Sequence, residues 1–574
     1  MAVVSGPTGS GKSHVAAVIA TMLGFSRDYS TAIVTAPSNI ACDNIEERIS
    51  AMSNKVATQA LSRDFPILKT LSIRGYAIDR EVQQLLTLLN GHQIREHSDI
   101  DPSPWRLRHS LCWWTARALD FEVEGMEQLD ENENESLMKL HAELESLLEV
   151  KLPAPEVEAE DEDVEKSAQP DKSFESFATL VQIARKRMTV EQYVATQRDA
   201  NKANTLRRDI SRLMAKVVDC ANFVVVTPIM SASKPYRSFN CWKAKAVLFD
   251  EAAGIHRADG LLVHGNSIRP AVIFGDEKQL PHVLLTMGDK RENGTVVNRF
   301  EQDAKISWLS WMLHLHIPAF HLYTQHRMTR GMFDMVLELT YPHLKEHFSY
   351  GPSSALSNFP YADSIRNFVN DEHNLDLPPD TMSPVFVDCV ECPSRKDPVS
   401  KSRYNPRATA CMIEWLEKFV DAVNFPPEKI VVITPYRANM LLIHSELKAS
   451  LVLSKVQTAT IESYQGREND MVVLCLAVDR FTGPCFVAQP QRLNVATSRH
   501  RLFMVVFGDI QTSNAQEPDK SIKTVTDEGV KMSMKPRMLD KFFNWFVEQN
   551  RVTKIKGDHT VDPDGEWGDS GEEQ

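Results

Sequence analysis

Short runs of apolar or β-branched residues recur along the chain, separated by helical or loop-like stretches. Ten such runs occur, at residues 2–4, 29–35, 222–227, 246–249, 271–274, 385–387, 430–433, 458–461, 471–474 and 502–507. Runs that are apolar on both faces are typical of parallel strands covered by helices on both sides. The sequence therefore predicts an α/β fold with parallel sheets.

Helical patterns lie between these runs and also fill one long stretch without strand signals. Helices are predicted at residues 13–23, 40–49, 189–218, 331–347, 406–423, 437–450 and 538–550. Residues 348–383 give little signal. The predicted organisation is a first α/β domain (1–45 and 218–318), a mainly helical insertion in it (46–217), a second α/β domain (319–552) and an acidic tail (553–574).

Composition places the chain among ordinary globular proteins, with 43% hydrophobic and 25% charged residues among 574. No apolar segment approaches the ~18 residues of a membrane span, and no secretory signal is evident. The nine cysteines are scattered, with one close pair at Cys389 and Cys392. We therefore expect reduced thiols, no structural zinc, no membrane contact and an intracellular protein, in nucleus or cytoplasm.

The net charge of −13 is concentrated in two segments. Residues 120–173 carry −15 and residues 558–574 carry −7, which leaves +9 on the remainder. The part rich in Glu, Asp, Pro, Ala and Ser, residues 153–173, is predicted to be disordered. The acidic balance therefore does not exclude a nucleic-acid partner. Trp105, Trp113 and Trp114 are interpreted as the insertion's own core rather than as a base-stacking surface.

A phosphate-binding pattern lies near the N-terminus and reads Gly6-Pro7-Thr8-Gly9-Ser10-Gly11-Lys12-Ser13. A short apolar run precedes it and a helical pattern follows, which is the context that this motif requires. Glycines let backbone N–H groups surround a phosphate chain. Lys12 can then reach the β- and γ-phosphates, and the Ser13 hydroxyl can bind Mg²⁺.

Polar side chains that follow other predicted strands complement this loop. Asp250 and Glu251 come directly after residues 246–249, where an Asp can hold Mg²⁺ and a Glu can activate water. Gln279 follows the next strand and could sense a γ-phosphate. Arg327 and Arg499 could supply positive charge in the transition state or could be ordinary surface arginines.

The order of motifs resembles the superfamily 1 helicases of the Upf/senataxin-like branch. The motifs that carry the resemblance are the phosphate loop, Ala36-Pro-Ser-Asn39, Asp250-Glu-Ala-Ala253, Gly275-Asp-x-x-Gln-Leu-Pro281, Gln325-x-Arg-Met328, Thr434-Pro-Tyr-Arg437, Glu462-Ser-Tyr-Gln-Gly-Arg-Glu-Asn-Asp470 and Arg492-Leu-Asn-Val-Ala-Thr-Ser-Arg499. They span residues 1–510 apart from the insertion and residues 348–383. Ser402-Arg-Tyr-Asn405 is also similar to the branch.

The resemblance implies two RecA-like domains that hydrolyse ATP, with Mg²⁺, in the cleft between them and move 5′ to 3′ along single-stranded RNA or DNA. It implies catalytic roles for Lys12, Glu251, Gln279, Arg327 and Arg499, and a Mg²⁺ site at Ser13 and Asp250. Further nucleotide-site residues would be Gly6, Pro7, Thr8, Gly9, Ser10, Gly11, His326, Gly466 and Glu468. The sugar–phosphate backbone of the nucleic acid would contact six residues of the chain: Pro37, Ser38, Asn39, Thr227, Thr434 and Ser463.

Three departures from the branch bear on these expectations. His326 stands where the branch has an adenine-stacking Tyr, and Pro281-His282 replaces Pro-Pro. The branch's adenine-reading glutamine and accessory β-barrel lie upstream of the phosphate loop, so we expect this chain to lack them. An ATP-switched clamp that does not unwind is therefore the alternative function, and a scaffold that binds protein partners through the insertion is a third.

Overall fold

The computed structural model describes residues 1–63, 67–94, 105–123, 125–149, 177–195, 202–265, 267–286, 288–515, 522–525 and 531–556. Two compact units make up the chain. The first comprises Met1–Val3 and Ser13–Phe274, and the second comprises Val4–Lys12 and Gly275–Gln574. The first strand, β1 (Ala2–Ser5), begins in one unit and ends in the other. The segment predicted to be disordered, 153–173, lies outside the described residues.

A parallel sheet forms the centre of the first unit. Its strands are β2 (Ala32–Thr35), β3 (Ser72–Arg74), β4 (Phe223–Val226), β5 (Ala246–Phe249) and β6 (Ala271–Gly275), in the order β3-β4-β2-β5-β6. Every neighbouring pair is parallel. All four residues of β2, β4 and β5 are buried, which explains their continuous apolar sequences.

Helices account for most of the remaining described residues of this unit. The α-helices are Lys12–Gly24, Asn39–Leu61, Ile78–Leu89, Leu111–Ala118, Glu135–Ser146, Ala178–Ala184, Val190–Ala195, Lys202–Asp219, Pro228–Ser231, Tyr236–Ser238 and Arg257–His264. Short 3₁₀ turns cover Leu147–Glu149 and Ala252–Gly254, and Phe239–Lys243 is a π-helical turn. Of the three tryptophans predicted to form a core, Trp105 and Trp114 are buried and Trp113 is half-buried.

A second parallel sheet forms the core of the second unit. Its strands are β10 (Val385–Val390), β13 (Ile430–Thr434), β14 (Gln457–Thr460), β15 (Asn469–Cys475), β16 (His500–Gly508) and β19 (Val552–Lys556), in the order β14-β13-β15-β16-β10-β19. All five pairings are parallel. The shorter strands are β7 (Ala319–His321), β8 (Thr324–Gln325), β9 (Ser349–Tyr350), β11 (Arg395–Lys396), β12 (Arg403–Tyr404), β17 (Ile522–Val525) and β18 (Lys531–Met534).

Four helices of the second unit have 12 or more residues and contribute side chains to its core: Ala362–His373, Pro406–Val423, Arg437–Ala449 and Arg537–Glu548. The α-helices are Glu301–Ala304, Trp308–His314, Asp334–Thr340, Ala362–His373, Pro406–Val423, Arg437–Ala449, Pro490–Ala496 and Arg537–Glu548. The 3₁₀ turns are Pro342–Leu344, Pro352–Ser354, Leu356–Asn358, Pro427–Lys429, Cys485–Ala488 and Thr512–Ala515. In the described part of the chain, no helix is long and apolar enough to span a membrane.

The α/β class with parallel sheets is confirmed, and four local predictions differ from the structure. The helix predicted at 331–347 covers only Asp334–Thr340, because Pro342 cannot continue it. The weak-signal stretch 348–383 contains the helix Ala362–His373. The predicted helical insertion contains β3, which pairs with β4, and β19 extends past the predicted end of the second domain. The domain boundaries themselves stay a prediction.

Candidate nucleotide-binding site

The phosphate loop has a backbone that only its glycines accommodate easily. Gly9 and Gly11 have φ of 81° and 86°, in the left-handed region that side chains disfavour. A Cβ on Gly9 would also lie 1.9 Å from Oε1 of Gln325. The two glycines therefore allow the chain to turn tightly between β1 and the helix Lys12–Gly24.

Lys12 lies folded over this loop. Its Nζ donates to the carbonyl oxygens of Gly6, at 2.8 Å, and Pro7, at 3.0 Å. The hydroxyl of Ser10 donates to the same Pro7 oxygen at 2.8 Å. Lys12 is buried, so its ammonium group is held at the mouth of the loop by carbonyl dipoles rather than by a carboxylate among these contacts. Phosphate oxygens are the stronger acceptors that this ammonium can exchange them for.

The predicted metal-site residues, Ser13 and Asp250, meet within the first unit. The Ser13 hydroxyl donates to Oδ2 of Asp250 at 2.8 Å. Asp250 is buried at the end of β5, and Glu251 follows in a left-handed conformation with φ of 50°. A hydroxyl and a carboxylate are oxygen ligands of the kind that Mg²⁺ prefers. The donor set therefore fits the ion that the sequence predicts.

The Thr8 hydroxyl, within the second unit, joins two of the predicted catalytic residues. It accepts from Nε2 of Gln279 at 2.8 Å and from Nη2 of Arg499 at 3.0 Å. Both side chains are almost fully buried, at 3% and 1% exposure. Oε1 of Gln279 is buried and has no hydrogen-bond partner among the described residues. The two residues predicted to be a γ-phosphate sensor and an arginine finger thus both contact the phosphate loop.

A second buried network links the motif that contains Gln279 to the motif that contains Arg499. The sequence pattern did not predict this network. The Tyr341 hydroxyl donates to Oδ2 of Asp276 at 2.5 Å and accepts from Nδ2 of Asn494 at 2.8 Å. Asn494 also donates to the carbonyl oxygen of Lys278 at 2.8 Å. Burial, followed by the charge of Asp276, raises the pKa of Tyr341 well above its usual value. Asn494 lies inside one of the sequence motifs, but no sequence signal pointed to Tyr341.

Arg327 pairs with Glu468, two residues that the sequence assigned to one site. Nε of Arg327 lies 2.6 Å from Oε2 of Glu468, and its Nη1 donates to the carbonyl oxygen of Ser498 at 3.0 Å. Gly466, two residues before Glu468, has φ of 80°. Arg327 is therefore anchored next to the segment that carries Arg499.

His326 and Gln325 lie directly beside the phosphate loop. The backbone N–H of His326 donates to the carbonyl oxygen of Gly9 at 2.9 Å, while its side chain is exposed. Nε2 of Gln325, a residue with no role predicted from the sequence, donates to the carbonyl oxygen of Thr8 at 2.9 Å. The exposed imidazole has its Nδ1 3.4 Å from the hydroxyl of Ser353, and Gln325 fixes the segment that carries it.

Buried His500 follows Arg499 at the start of β16. Burial, together with the guanidinium groups of Arg327 and Arg499, lowers the pKa of His500 to about 3. The imidazole is therefore neutral at neutral pH. It lies close enough to both arginines for their charges to act on it, and it adds no third positive charge.

The residues of the first unit that are predicted to contact nucleic acid lie after the carboxyl ends of its β-strands. Ser38 caps the helix Asn39–Leu61 by accepting from the N–H of Ala41 at 3.2 Å. Pro37 packs against Gly254, where an added Cβ would come within 3.0 Å. Oδ1 of Asn39 accepts from Nη2 of Arg74 at 2.8 Å.

Thr227 precedes the short helix Pro228–Ser231, at the end of β4. In the second unit, Ser463 accepts from the N–H of Thr460 at 3.0 Å and is exposed. Thr434 is only 1% exposed, and its hydroxyl accepts from Nδ2 of Asn439 at 3.0 Å. Contact between Thr434 and a strand would therefore require local rearrangement. Among the residues that the structure describes, no group of three or more His, Cys, Asp or Glu is arranged to hold a metal ion.

A phosphate loop, a serine–aspartate pair after a parallel strand and buried Gln and Arg side chains on the loop define a P-loop nucleotide-binding protein. Two family models, each described as an AAA domain, match residues 1–287 and 304–511. The chain belongs to this AAA-domain family, and its relatives support the resemblance to the Upf/senataxin-like branch of superfamily 1.

Individual relatives agree with this assignment. The chain is 28% identical over 258 residues to a DNA polymerase alpha-associated DNA helicase A from Saccharomyces cerevisiae, covering 44% of this chain and 36% of that protein. It is 24% identical over 334 residues to a regulator of nonsense transcripts 1 homolog from Arabidopsis thaliana, covering 57% and 24%. The matches thus span about a quarter to a third of these relatives' lengths. A solved PRRSV helicase matches at 12% identity with a TM-score of 0.28, covering 98% of this chain and 65% of that one, which is too low a score to establish a shared fold.

Proposed function

We propose that this chain is an ATP-hydrolysing helicase or translocase that acts on single-stranded RNA or DNA, with 5′-to-3′ polarity. The observation that carries the proposal is the phosphate loop itself, which contacts Gln279 and Arg499 through Thr8 and continues into the Ser13–Asp250 pair. A loop that only bound phosphate would not need a buried sensor and a buried arginine on the same hydroxyl. Both are groups that phosphoryl transfer uses.

Each residue of the site has a proposed role in hydrolysis. Lys12 binds the β- and γ-phosphates, and Ser13 and Asp250 hold Mg²⁺, which when bound neutralises phosphate charge. Glu251 accepts the proton of the attacking water. Arg327 and Arg499 stabilise the charge that develops on the phosphoryl oxygens.

The remaining assignments concern recognition and coupling. The amide of Gln279 senses the γ-phosphate, and its buried Oε1 is an acceptor for the attacking water. His326 stacks on the base, and Gly466 and Glu468 couple the nucleotide to the strand. The strand's sugar–phosphate backbone contacts the set predicted from sequence: Pro37, Ser38, Asn39, Thr227, Thr434 and Ser463.

The direct test is phosphate release by the full chain with and without poly(U) or oligo(dT). We expect hydrolysis that either polymer stimulates, and loss of that hydrolysis in Lys12→Ala. Glu251→Gln is the matched variant, because it should still bind ATP while failing to turn it over. If the wild-type chain shows no strand-stimulated turnover, the proposal is wrong.

A further inference from the structure

A hairpin and a turn at the carboxyl ends of strands in the second unit's sheet combine exposed cations with an exposed aromatic ring. The hairpin consists of β11 and β12, which pair antiparallel (Arg395 with Tyr404 and Lys396 with Arg403). The turn covers residues 479–483. The hairpin follows the end of β10, and the turn follows the end of β15. Since these strands are parallel to β13, both features lie at the edge where β13 ends in Thr434.

We propose that this hairpin and turn form a second contact for single-stranded nucleic acid, in which Lys396, Lys401 and Arg403 bind phosphates and Phe481 stacks on a base. The inference rests on the proposed function and adds residues to which the sequence motifs gave no role. Strand-binding proteins combine such cations with exposed aromatic rings, because every base offers a face for stacking.

The cations are available for phosphate. Lys396 and Lys401 are exposed and Arg403 is half-buried. Within the described residues none of the three forms an ion pair with a carboxylate. Lys401 donates to the carbonyl oxygen of Pro398, and Arg403 lies 3.5 Å from the hydroxyl of Thr482. No carboxylate of the described residues therefore lies within ion-pair distance of the three cations, although hydrogen bonds from Ser400 and then the nearby charge of Lys401 lower the pKa of the Asp397 carboxyl.

The acidic residues in the hairpin and turn are engaged in local structure. Asp397 accepts from the N–H groups of Val399 and Ser400, and hydrogen bonds from Ser400 lower its pKa. Asp479 accepts from the N–H groups of Phe481 and Thr482 at 2.9 and 2.6 Å. These carboxylates fix the turns, so their presence does not argue against a polyanion.

A third carboxylate, Asp509, pairs with Arg480 at 2.7 Å and so removes that arginine from the set of available cations. Asp479 also accepts from the N–H of Ser394 at 2.6 Å, and the hydroxyl of Ser394 donates to the carbonyl oxygen of Ala477 at 2.7 Å. These bonds tie the start of the hairpin to the segment that carries Phe481. The two halves of the proposed contact are therefore held together.

The aromatic ring has no packing role in the core. Phe481 is 90% exposed, and Val399 at the hairpin tip is 89% exposed. The backbone that presents Phe481 is fixed by Asp479 on one side and by the Arg480–Asp509 pair on the other. This fixed backbone holds the ring in solvent, where one face is open to a base.

The hairpin is also hydrogen-bonded to the segment after Thr434, which the sequence motifs predict to contact nucleic acid. The hydroxyl of Ser402 accepts from the N–H of Ala438 at 3.1 Å. The N–H of Asn405 donates to Oδ1 of Asn439 at 3.0 Å, and Nδ2 of Asn439 donates to Thr434. These bonds hold the hairpin next to the segment that follows Thr434, so nucleic acid bound along that segment would also meet the hairpin.

The test is binding of fluorescein-labelled oligo(U) and oligo(dT) to the full chain, followed by anisotropy at several salt concentrations. Lys396→Glu/Lys401→Glu should weaken binding about tenfold or more. The slope of log affinity against log salt should become shallower by about 0.7 for each phosphate that the variant no longer binds. Phe481→Ala and Phe481→Leu should weaken binding at least about fivefold, and Phe481→Trp should restore it. The two oligonucleotides show whether the site prefers RNA or DNA.

Lys448→Glu/Lys455→Glu is the matched control, since both lysines precede β14 at the opposite edge of the same sheet. It makes the same change in net charge and should leave the salt slope unchanged. Equal slopes for the two double variants, or unchanged binding by Phe481→Ala, would overturn the inference. If the wild-type chain binds neither oligonucleotide, the proposed function itself fails, which is a distinguishable result.

Discussion

Arg74 and Asp43 form a buried ion pair that should be essential to the first unit. Nε of Arg74 lies 2.6 Å from Oδ1 of Asp43, and their side chains are only 2% and 3% exposed. The Tyr76 hydroxyl donates to the same oxygen at 2.9 Å. Arg74 also donates to the carbonyl oxygen of Gly75 and to Oδ1 of Asn39. One guanidinium thus joins β3 to the first turn of the helix Asn39–Leu61.

Replacing Asp43 leaves Arg74 as an uncompensated buried charge. Replacing Arg74 leaves Asp43 with only the half-exposed Arg106, whose Nε lies 4.0 Å from Oδ2. We expect Arg74→Met and Asp43→Asn each to destabilise the first unit by about 3–5 kcal/mol. The double variant contains no unpaired buried charge, so its destabilisation should be smaller than the sum by about 1–3 kcal/mol. Because Asn39 would also lose its anchor, affinity for oligo(U) should fall in Arg74→Met.

Hydrogen exchange resolved by mass spectrometry can measure this locally. Peptides from the helix Asn39–Leu61 and from β4 should lose protection in both single variants and regain part of it in the double variant. Peptides from β13 and β15 are the internal reference and should not change. If the two single-variant destabilisations sum to that of the double variant to within about 0.5 kcal/mol, this reasoning is refuted, because that result would mean that Arg74 and Asp43 are not coupled.

Three further predictions concern the nucleotide site. Arg499→Lys keeps the charge but loses the planar fork, so ATP turnover should fall about 10³-fold while binding of a fluorescent ATP analogue changes little; an unchanged kcat would contradict the finger role. Burial beside Arg327 keeps His500 neutral, so the free energy of unfolding should fall as the pH falls. The reason is that His500 takes up a proton below a pKa of 6.5 in the unfolded chain, but only near 3 in the folded chain. Relative to His500→Gln, the wild type should lose about 2 kcal/mol between pH 6.5 and about pH 5 in urea unfolding, and parallel curves would refute this. Ser13→Ala and Asp250→Asn should raise the Mg²⁺ concentration for half-maximal hydrolysis at least about tenfold, and an unaltered Mg²⁺ titration would exclude a metal site at these two residues.

Continuous apolar runs made much of the fold predictable. β4 and β5 are buried along their whole length, so the sequence must be apolar at every position. β3 could not be found in this way, because it has three residues and ends in Arg74. That arginine is tolerated in a buried strand only through its ion pair with Asp43, which lies 31 positions away in sequence.

The site shows the same division between local and long-range information. The phosphate loop is a local motif, and its left-handed glycines at positions 9 and 11 follow from the pattern. The common attachment of Gln279 and Arg499 to Thr8 depends on contacts across 271 and 491 positions of the sequence. Tyr341 shows the limit most clearly, since only its buried contacts with Asp276 and Asn494 reveal its place in the site.

Strand displacement by the full chain tests the central claim most directly. The substrates are a labelled duplex with a 5′ single-stranded tail and the same duplex with a 3′ tail, each with ATP and Mg²⁺, and Lys12→Ala is the control. A 5′-to-3′ helicase should displace the labelled strand from the 5′-tailed substrate only, and Lys12→Ala should displace neither. ATP hydrolysis without displacement of either substrate would contradict the claim and would favour a nucleotide-switched clamp.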